Sequence, residues 1–164
     1  MTARNAIDTR VDSVGVARLL GSAAAGYRAM FGWPVKVVQH SVVVEMTGGV
    51  GGVVVPPQYG PRLRAALARI GCLGPVVTAA TGGDHLVFLV DPNGSVVPRE
   101  SITPGARVLT RSELVPLPAG PVPRVSARWV VLPVAGDWLP LLGTVLDVLA
   151  ETHRAGADPR RRQP

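Results

Sequence analysis

The stretch PVKVVQHSVVVEMTGGVGGVVV, residues 34–55, holds three clusters of β-branched residues at 34–38, 41–45 and 52–55, separated by polar or glycine residues. Clusters this short, rich in Val and bounded by turn formers, read as strands rather than helix. They lie between two segments of helical periodicity, and hairpin signals follow the second. The order helix, strands, helix, hairpins, helix is not a regular βαβ alternation, so an α+β sandwich with a mainly antiparallel sheet and about three helices is expected instead of a doubly wound sheet.

Upstream of the stretch, Asp12 or Ser13 can cap a helix whose apolar residues Val16, Leu20, Ala23, Ala24, Tyr27, Met30 and Phe31 recur every three or four positions. Gly32 stops it before Pro34. Downstream, Pro56 and Pro57 end the third strand. Gly60 and Pro61 open a second helix, with the proline at a position where its missing N–H costs nothing. Leu63, Ala66, Leu67 and Ile70 form its expected buried stripe and Gly71 its stop. Residues 76–80 and 85–90 read as strands around Thr81-Gly82-Gly83, and Asp91-Pro92-Asn93-Gly94 is a turn that should lead into a strand at 95–97. Prolines crowd residues 98–123, leaving room only for short edge strands at 106–109 and 113–117. A further strand is expected at 128–132. The last helix should start near Asp137, tolerate Pro140 in its first turn and bury Leu142, Val145, Leu146 and Leu149. The expected organisation is a flexible N-terminus at 1–11, one domain at 12–153 and a disordered, Arg-rich tail at 154–164.

Composition agrees with one turn-rich domain. The chain has 164 residues, 47% of them hydrophobic and 17% charged, with 19 Gly and 16 Pro, which excludes a coiled coil or a charge-driven disordered chain. Lys36 is the only lysine among 17 basic residues, a usage expected of a GC-rich bacterium. The net charge of +6 is partly carried by Arg154, Arg160, Arg161 and Arg162, so the body is only mildly basic. Such a field permits phosphate binding without requiring it. Cys72 is the sole cysteine and rules out an intrachain disulfide. Arg4, Asp8, Arg10 and Asp12 interrupt what a secretory signal would keep apolar, and Pro133, Asp137, Pro140 and Asp147 break the best membrane-length stretch. The expectation is a cytoplasmic protein without a membrane partner.

The motifs that could carry chemistry are few. Gly48-Gly49-Val50-Gly51-Gly52 lacks the Gly-Lys-Ser/Thr ending of a phosphate loop and leads into a strand, so it reads as a turn between strands. Thr81-Gly82-Gly83-Asp84-His85 is a hairpin in which glycines allow a ligand close and His85 can reach a phosphate. His40 and His153 have no partner at metal-ligand spacing, and Cys72 reads as a small apolar filler. Glu45, Asp84 and Asp91 do not pair on one strand face, whereas two-metal catalysis needs such a pair. There is no Gly-x-Ser-x-Gly elbow and no base beside Cys72 in sequence. These residues favour a non-catalytic domain with no metal cofactor.

Several segments in this order resemble one family. Gly32-Trp33-Pro34-Val35 after an Ala-rich helix, Thr78-Ala79-Ala80-Thr81-Gly82-Gly83-Asp84-His85-Leu86-Val87-Phe88, Arg128-Trp129 and Trp138-Leu139-Pro140 are similar to the N-terminal domain of bifunctional DNA primase/polymerases, the prim-pol domains of the archaeo-eukaryotic primase superfamily. The resemblance spans about residues 14–150. It implies a primase/polymerase-like fold, a nucleotide-contacting role for His85 and a leading turn at Thr81, Gly82 and Gly83. In that family an acidic pair and a later Asp hold magnesium or manganese. Here 52–57 has no carboxylate and 107–111 no Asp. What the resemblance then implies is a free-standing, catalytically degenerate member without polymerase activity, in an accessory or regulatory role. Weak nucleotide or DNA binding would use His85 with basic contacts from Arg62, Arg107 and Arg111. The alternative is a structural or regulatory protein-interaction module with no nucleic-acid contact, and a small-molecule enzyme ranks last.

Overall fold

The residues Leu86-Val87-Phe88-Leu89-Val90 point alternately to opposite faces, as a strand must, and both faces are apolar. A strand of this kind needs cover on each side, and the architecture supplies it. The computed structural model describes residues 5–78, 84–93, 103–120 and 127–157. Along the chain come α1 (Asn5–Phe31), β1 (Val35–Val38), β2 (Ser41–Glu45), β3 (Gly51–Val55), α2 (Gly60–Arg69), β4 (Val76–Thr78), β5 (Leu86–Val90), β6 (Arg107–Val108), β7 (Leu114–Leu117), β8 (Trp129–Val131) and α3 (Leu142–Ala157).

The fold is α+β, and its strands form two antiparallel sheets rather than one. A five-stranded sheet has the order β6-β3-β5-β4-β8 and a three-stranded sheet the order β1-β2-β7. Val53, Val55, Val76, Phe88 and Val90 enter one core with Leu63 and Leu67 of α2 and Val145 and Leu149 of α3. Val77, Val87 and Leu89 enter the other, with Leu20 and Ala24 of α1 and Val42, Val44, Val115 and Leu117 of the small sheet. One face of the large sheet therefore carries α2 and α3, and the opposite face carries the small sheet and α1. Each fully buried Val, Leu or Phe side chain contributes roughly 1.5–3 kcal/mol.

Several local expectations hold for stated reasons. Gly32 (φ 67°) and Gly71 (φ 69°) take the left-handed conformation that ends α1 and α2. Pro61 stands in the first turn of α2. Asn93 has a positive φ and its N–H donates to Asp91 Oδ1 at 2.8 Å, so the chain turns after β5 as expected. The strand expected at 95–97 lies outside the described residues.

Five expectations are corrected. The first helix starts at Asn5, ahead of the Asp12 or Ser13 cap. Met30 is 59% exposed, because Tyr27 and Phe31 occupy the face turned to the core and Met30 lies to one side of it. Ile70 is exposed because it is the C-cap of α2 and stands beyond its buried stripe. The last helix starts at Leu142, after Pro140 rather than around it. The Asp91 N–H donates to the Pro140 carbonyl and the Leu142 N–H to the Asp91 carbonyl, both at 2.9 Å, so residues 140–141 run extended beside the end of β5. That helix also continues to Ala157, past the start of the expected tail. No helix among the described residues is long and apolar enough to cross a membrane.

The β1–β2 hairpin closes through two residues, with Val38 paired to Ser41. Gln39 (φ 45°) and His40 (φ 66°) are both left-handed there, the geometry of a type I′ turn, which Asn-Gly fits without strain. Gln39→Asn combined with His40→Gly is expected to stabilise the protein by about 1 kcal/mol, raising Tm by roughly 2–4 °C in thermal unfolding. An unchanged or lower Tm would show that the turn carries no strain.

Candidate functional site

His85 is half-buried and directly precedes β5, while Asp84 beside it is exposed. Leu86 pairs with Val55 of β3 and with Thr78 of β4, so His85 stands at the end of the large sheet where β3 runs into Pro56. Thr81, Gly82 and Gly83 lie outside the described residues. The start of α2 packs tightly at this end, since a Cβ on Gly60 would lie 2.8 Å from Leu86 Cδ1. Arg62 follows in the first turn of α2, and its guanidinium lies against α3, 2.8 Å from where a Cβ on Gly156 would stand.

The other two arginines are placed differently. Arg107 pairs with Val54 across β6 and β3, and its guanidinium forms an ion pair with Glu113. The Thr110 N–H also donates to that carboxylate, and the Thr110 hydroxyl does so at 2.8 Å. Partial burial pushes the Glu113 carboxyl up, but these hydrogen bonds and the Arg107 charge outweigh it and hold the group below the usual carboxylate range. Arg111 is exposed at the opposite end of the sheet, its guanidinium 3.4 Å from where a Cβ on Gly48 would lie. Gly51, which follows that turn, pairs with Val90 at the far end of β5 from His85. The structure thus brings Arg62 to the His85 end, ties Arg107 to a carboxylate and places Arg111 away from both.

The glycine run has a packing explanation. A Cβ on Gly52 would come within 2.7 Å of Leu109 Cδ1, and one on Gly51 within 3.3 Å of Val90 Cγ2. In the segment after it, Val53 and Val55 are fully buried against α2 and α3, and Val54 packs into the opposite core. The side chains of 53–55 are consequently core side chains on either face. Among the described residues, no group of three His, Cys, Asp or Glu side chains could hold a metal ion.

A second region was not singled out from the sequence. Of the three Trp, two Tyr and two Phe, Tyr27, Phe31, Trp33 and Trp129 converge where α1 meets β8. Tyr27 and Trp33 stack with an interplanar angle of 11°, and the Phe31 and Trp33 ring centroids are 4.8 Å apart. Tyr27 Oη donates to the Pro118 carbonyl at 2.7 Å and accepts from Trp129 Nε1 at 3.0 Å. Burial pushes the Tyr27 phenol up against the lowering effect of the Trp129 hydrogen bond, so it remains a neutral donor. Tyr27, Phe31 and Trp129 of this cluster floor a groove of about 570 Å³ between α1 and the segments around Pro118 and Leu132. A neighbouring hollow of about 800 Å³, reaching Cys72 and Trp138, shares Met30, Phe31, Leu132 and Pro133 with it. Leu132 is 69% exposed and Trp138 93%. The sequence signal for this region was Met30, which lies beside the core stripe of α1 and which a count of apolar spacing merges with it.

The Glu113 contact generates a pH prediction. A carboxyl whose folded-state pKa is lowered contributes stability that is complete above its unfolded-state pKa and is lost as pH falls through the folded-state value. Glu113→Gln should therefore lower stability near neutral pH by less than about 1 kcal/mol, as for a partly exposed ion pair, and have no effect in strong acid. Unfolding of both proteins across that range checks it, and a difference that persists in acid would refute the assignment.

No protein-family model, curated protein or solved structure matches the chain.

Proposed function

We propose that this chain is a catalytically degenerate primase/polymerase-like domain that serves as a protein-interaction module and does no nucleotide chemistry. The observation that carries the reading is the continuous apolar surface made by the two adjoining hollows, to which Leu19, Met30, Leu132, Val134, Trp138 and Leu141 contribute exposed side chains. Soluble proteins rarely leave contiguous apolar patches of this kind uncovered, and exposed Trp is a preferred anchor in protein interfaces.

The other end of the domain supports the same reading. Polymerisation needs carboxylates to hold two divalent ions against a triphosphate. At the position where the prim-pol resemblance would put the acidic pair, Val53 and Val55 are core residues with no exposed surface. Cations that would bind phosphate do not converge, because Arg107 is neutralised by Glu113 and Arg111 lies at the opposite end from His85.

Two measurements test the proposal. ATP and a single-stranded oligonucleotide should show no saturable binding at either low or high salt, and no template-dependent primer extension should occur with magnesium or manganese. An environment-sensitive apolar dye should bind the native protein and lose several-fold in signal on replacing both Leu132 and Trp138 with Ser, with Tm nearly unchanged because both side chains are exposed. Saturable nucleotide binding that His85→Ala abolishes, or primer extension, would overturn the reading.

A further inference from the structure

A hollow of about 240 Å³ opens at the end of the large sheet opposite His85, between the β2–β3 turn, the segment joining β6 to β7 and the start of α3. Met46, Leu109 and Leu142, all nearly inaccessible, wall it together with Val108 and Pro92. Pockets that hold drug-sized ligands measure roughly 300–1,000 Å³. This one is smaller, so it suits a body of a few carbon atoms and is too small for a nucleotide.

The polar groups at the hollow are unevenly used. The Met46 carbonyl accepts from the Ser112 N–H at 3.1 Å, and the Gly52 carbonyl accepts from the Leu109 N–H at 2.8 Å. Donors are left over. The Gly48 N–H and the Arg111 guanidinium, both on lining residues, have no hydrogen-bond partner among the described residues. Thr47 Oγ1 accepts from the Gly49 N–H at 3.3 Å, which leaves the hydroxyl proton to give. The Arg111 guanidinium lies over Gly48, 3.4 Å from where a Cβ would stand, so its charge sits beside that N–H.

No carboxylate balances Arg111. Among the described residues no Asp or Glu lines the hollow. Glu113 is engaged by Arg107 and Thr110, and Asp91 Oδ1 accepts from the Asn93 N–H. A surplus of donors with one positive charge calls for an anionic acceptor, and apolar walls call for hydrocarbon.

We propose that this hollow binds a small organic carboxylate with a branched apolar body of about four to six carbons. Arg111, the Gly48 N–H and the Thr47 hydroxyl hold the carboxylate, and the methyl groups lie against Met46, Leu109 and Leu142. Free short-chain acids and the C-terminal Leu or Val of a peptide share this chemistry. The site lies apart from the apolar surface at α1 and β8, and its assignment stands or falls independently of the interaction-module reading.

The test follows backbone amide NMR shifts of the isotopically labelled full chain. The probes are isovalerate, isoamyl alcohol, inorganic phosphate and a short peptide ending in Leu, as free acid and as amide. Isovalerate should give saturable shifts centred on Gly48, Gly51, Gly52 and Arg111, with a Kd at least about tenfold below that for the alcohol or phosphate. Arg111→Gln should raise that Kd at least about tenfold without changing Tm, because the side chain is exposed, and Thr47→Val should raise it by a smaller factor. Tighter binding of the free-acid peptide than of isovalerate, lost in its amide, identifies a peptide C-terminus as the source, and binding of isovalerate alone identifies a free acid. Equal affinity for the alcohol, equal affinity for phosphate (an adventitious ion only), isovalerate binding that survives Arg111→Gln, or no saturable shift with any probe overturns the inference.

Discussion

The structure depends on burying β5 from both sides. Phe88 and Val90 face α2 and α3, Val87 and Leu89 face the small sheet and α1, and all four are nearly inaccessible. A central strand with two apolar faces cannot be satisfied by one layer, so the chain has to supply cover above and below. Loss of the Phe88 ring alone would open a cavity costing roughly 3–5 kcal/mol, a large part of the stability of an ordinary domain.

The two layers of strands arise at the two places where the chain leaves one sheet for the other. Between β2 and β3, the Thr47 N–H donates to the Val50 carbonyl at 2.8 Å and Gly51 and Gly52 pass close beneath Val90 and Leu109. Between β6 and β7, Ser112 takes a left-handed φ of 68° and its N–H donates to the Met46 carbonyl. The Arg107–Glu113 pair closes that second crossing. These contacts engage the glycine run and one of the arginines in holding the two sheets together.

The two cores leave two regions of different character. The valines of β3 fill space on both sides of the large sheet. At the aromatic cluster of α1 and β8 the rings of Tyr27, Phe31 and Trp129 are half-covered, its polar atoms are mutually bonded and Leu19, Met30 and Leu132 are exposed around it. Apolar surface with no hydrogen bonds to offer is suited to recognising another packed element.

The α+β class was legible in residues 34–55, because clusters of β-branched residues this short fit the alternation of a strand, and the stops at Gly32 and Gly71 were legible because glycine reaches the left-handed conformation that ends a helix without strain. Spacing also identified the buried side of α3, with Val145 and Leu149 fully inside. Periodicity reports how apolar residues recur along one element but not what stands opposite them. It could not divide the strands between two sheets, place Arg111 at the far end from His85 or separate Met30 from the core face of α1. The start of α3 was likewise decided by a long-range contact, since the hydrogen bonds of Asp91 to Pro140 and Leu142 hold residues 140–141 extended up to the first residue of the helix. Local sequence determined which elements form. Only the packing of elements distant in sequence decided which side chains ended in a core and which were left exposed.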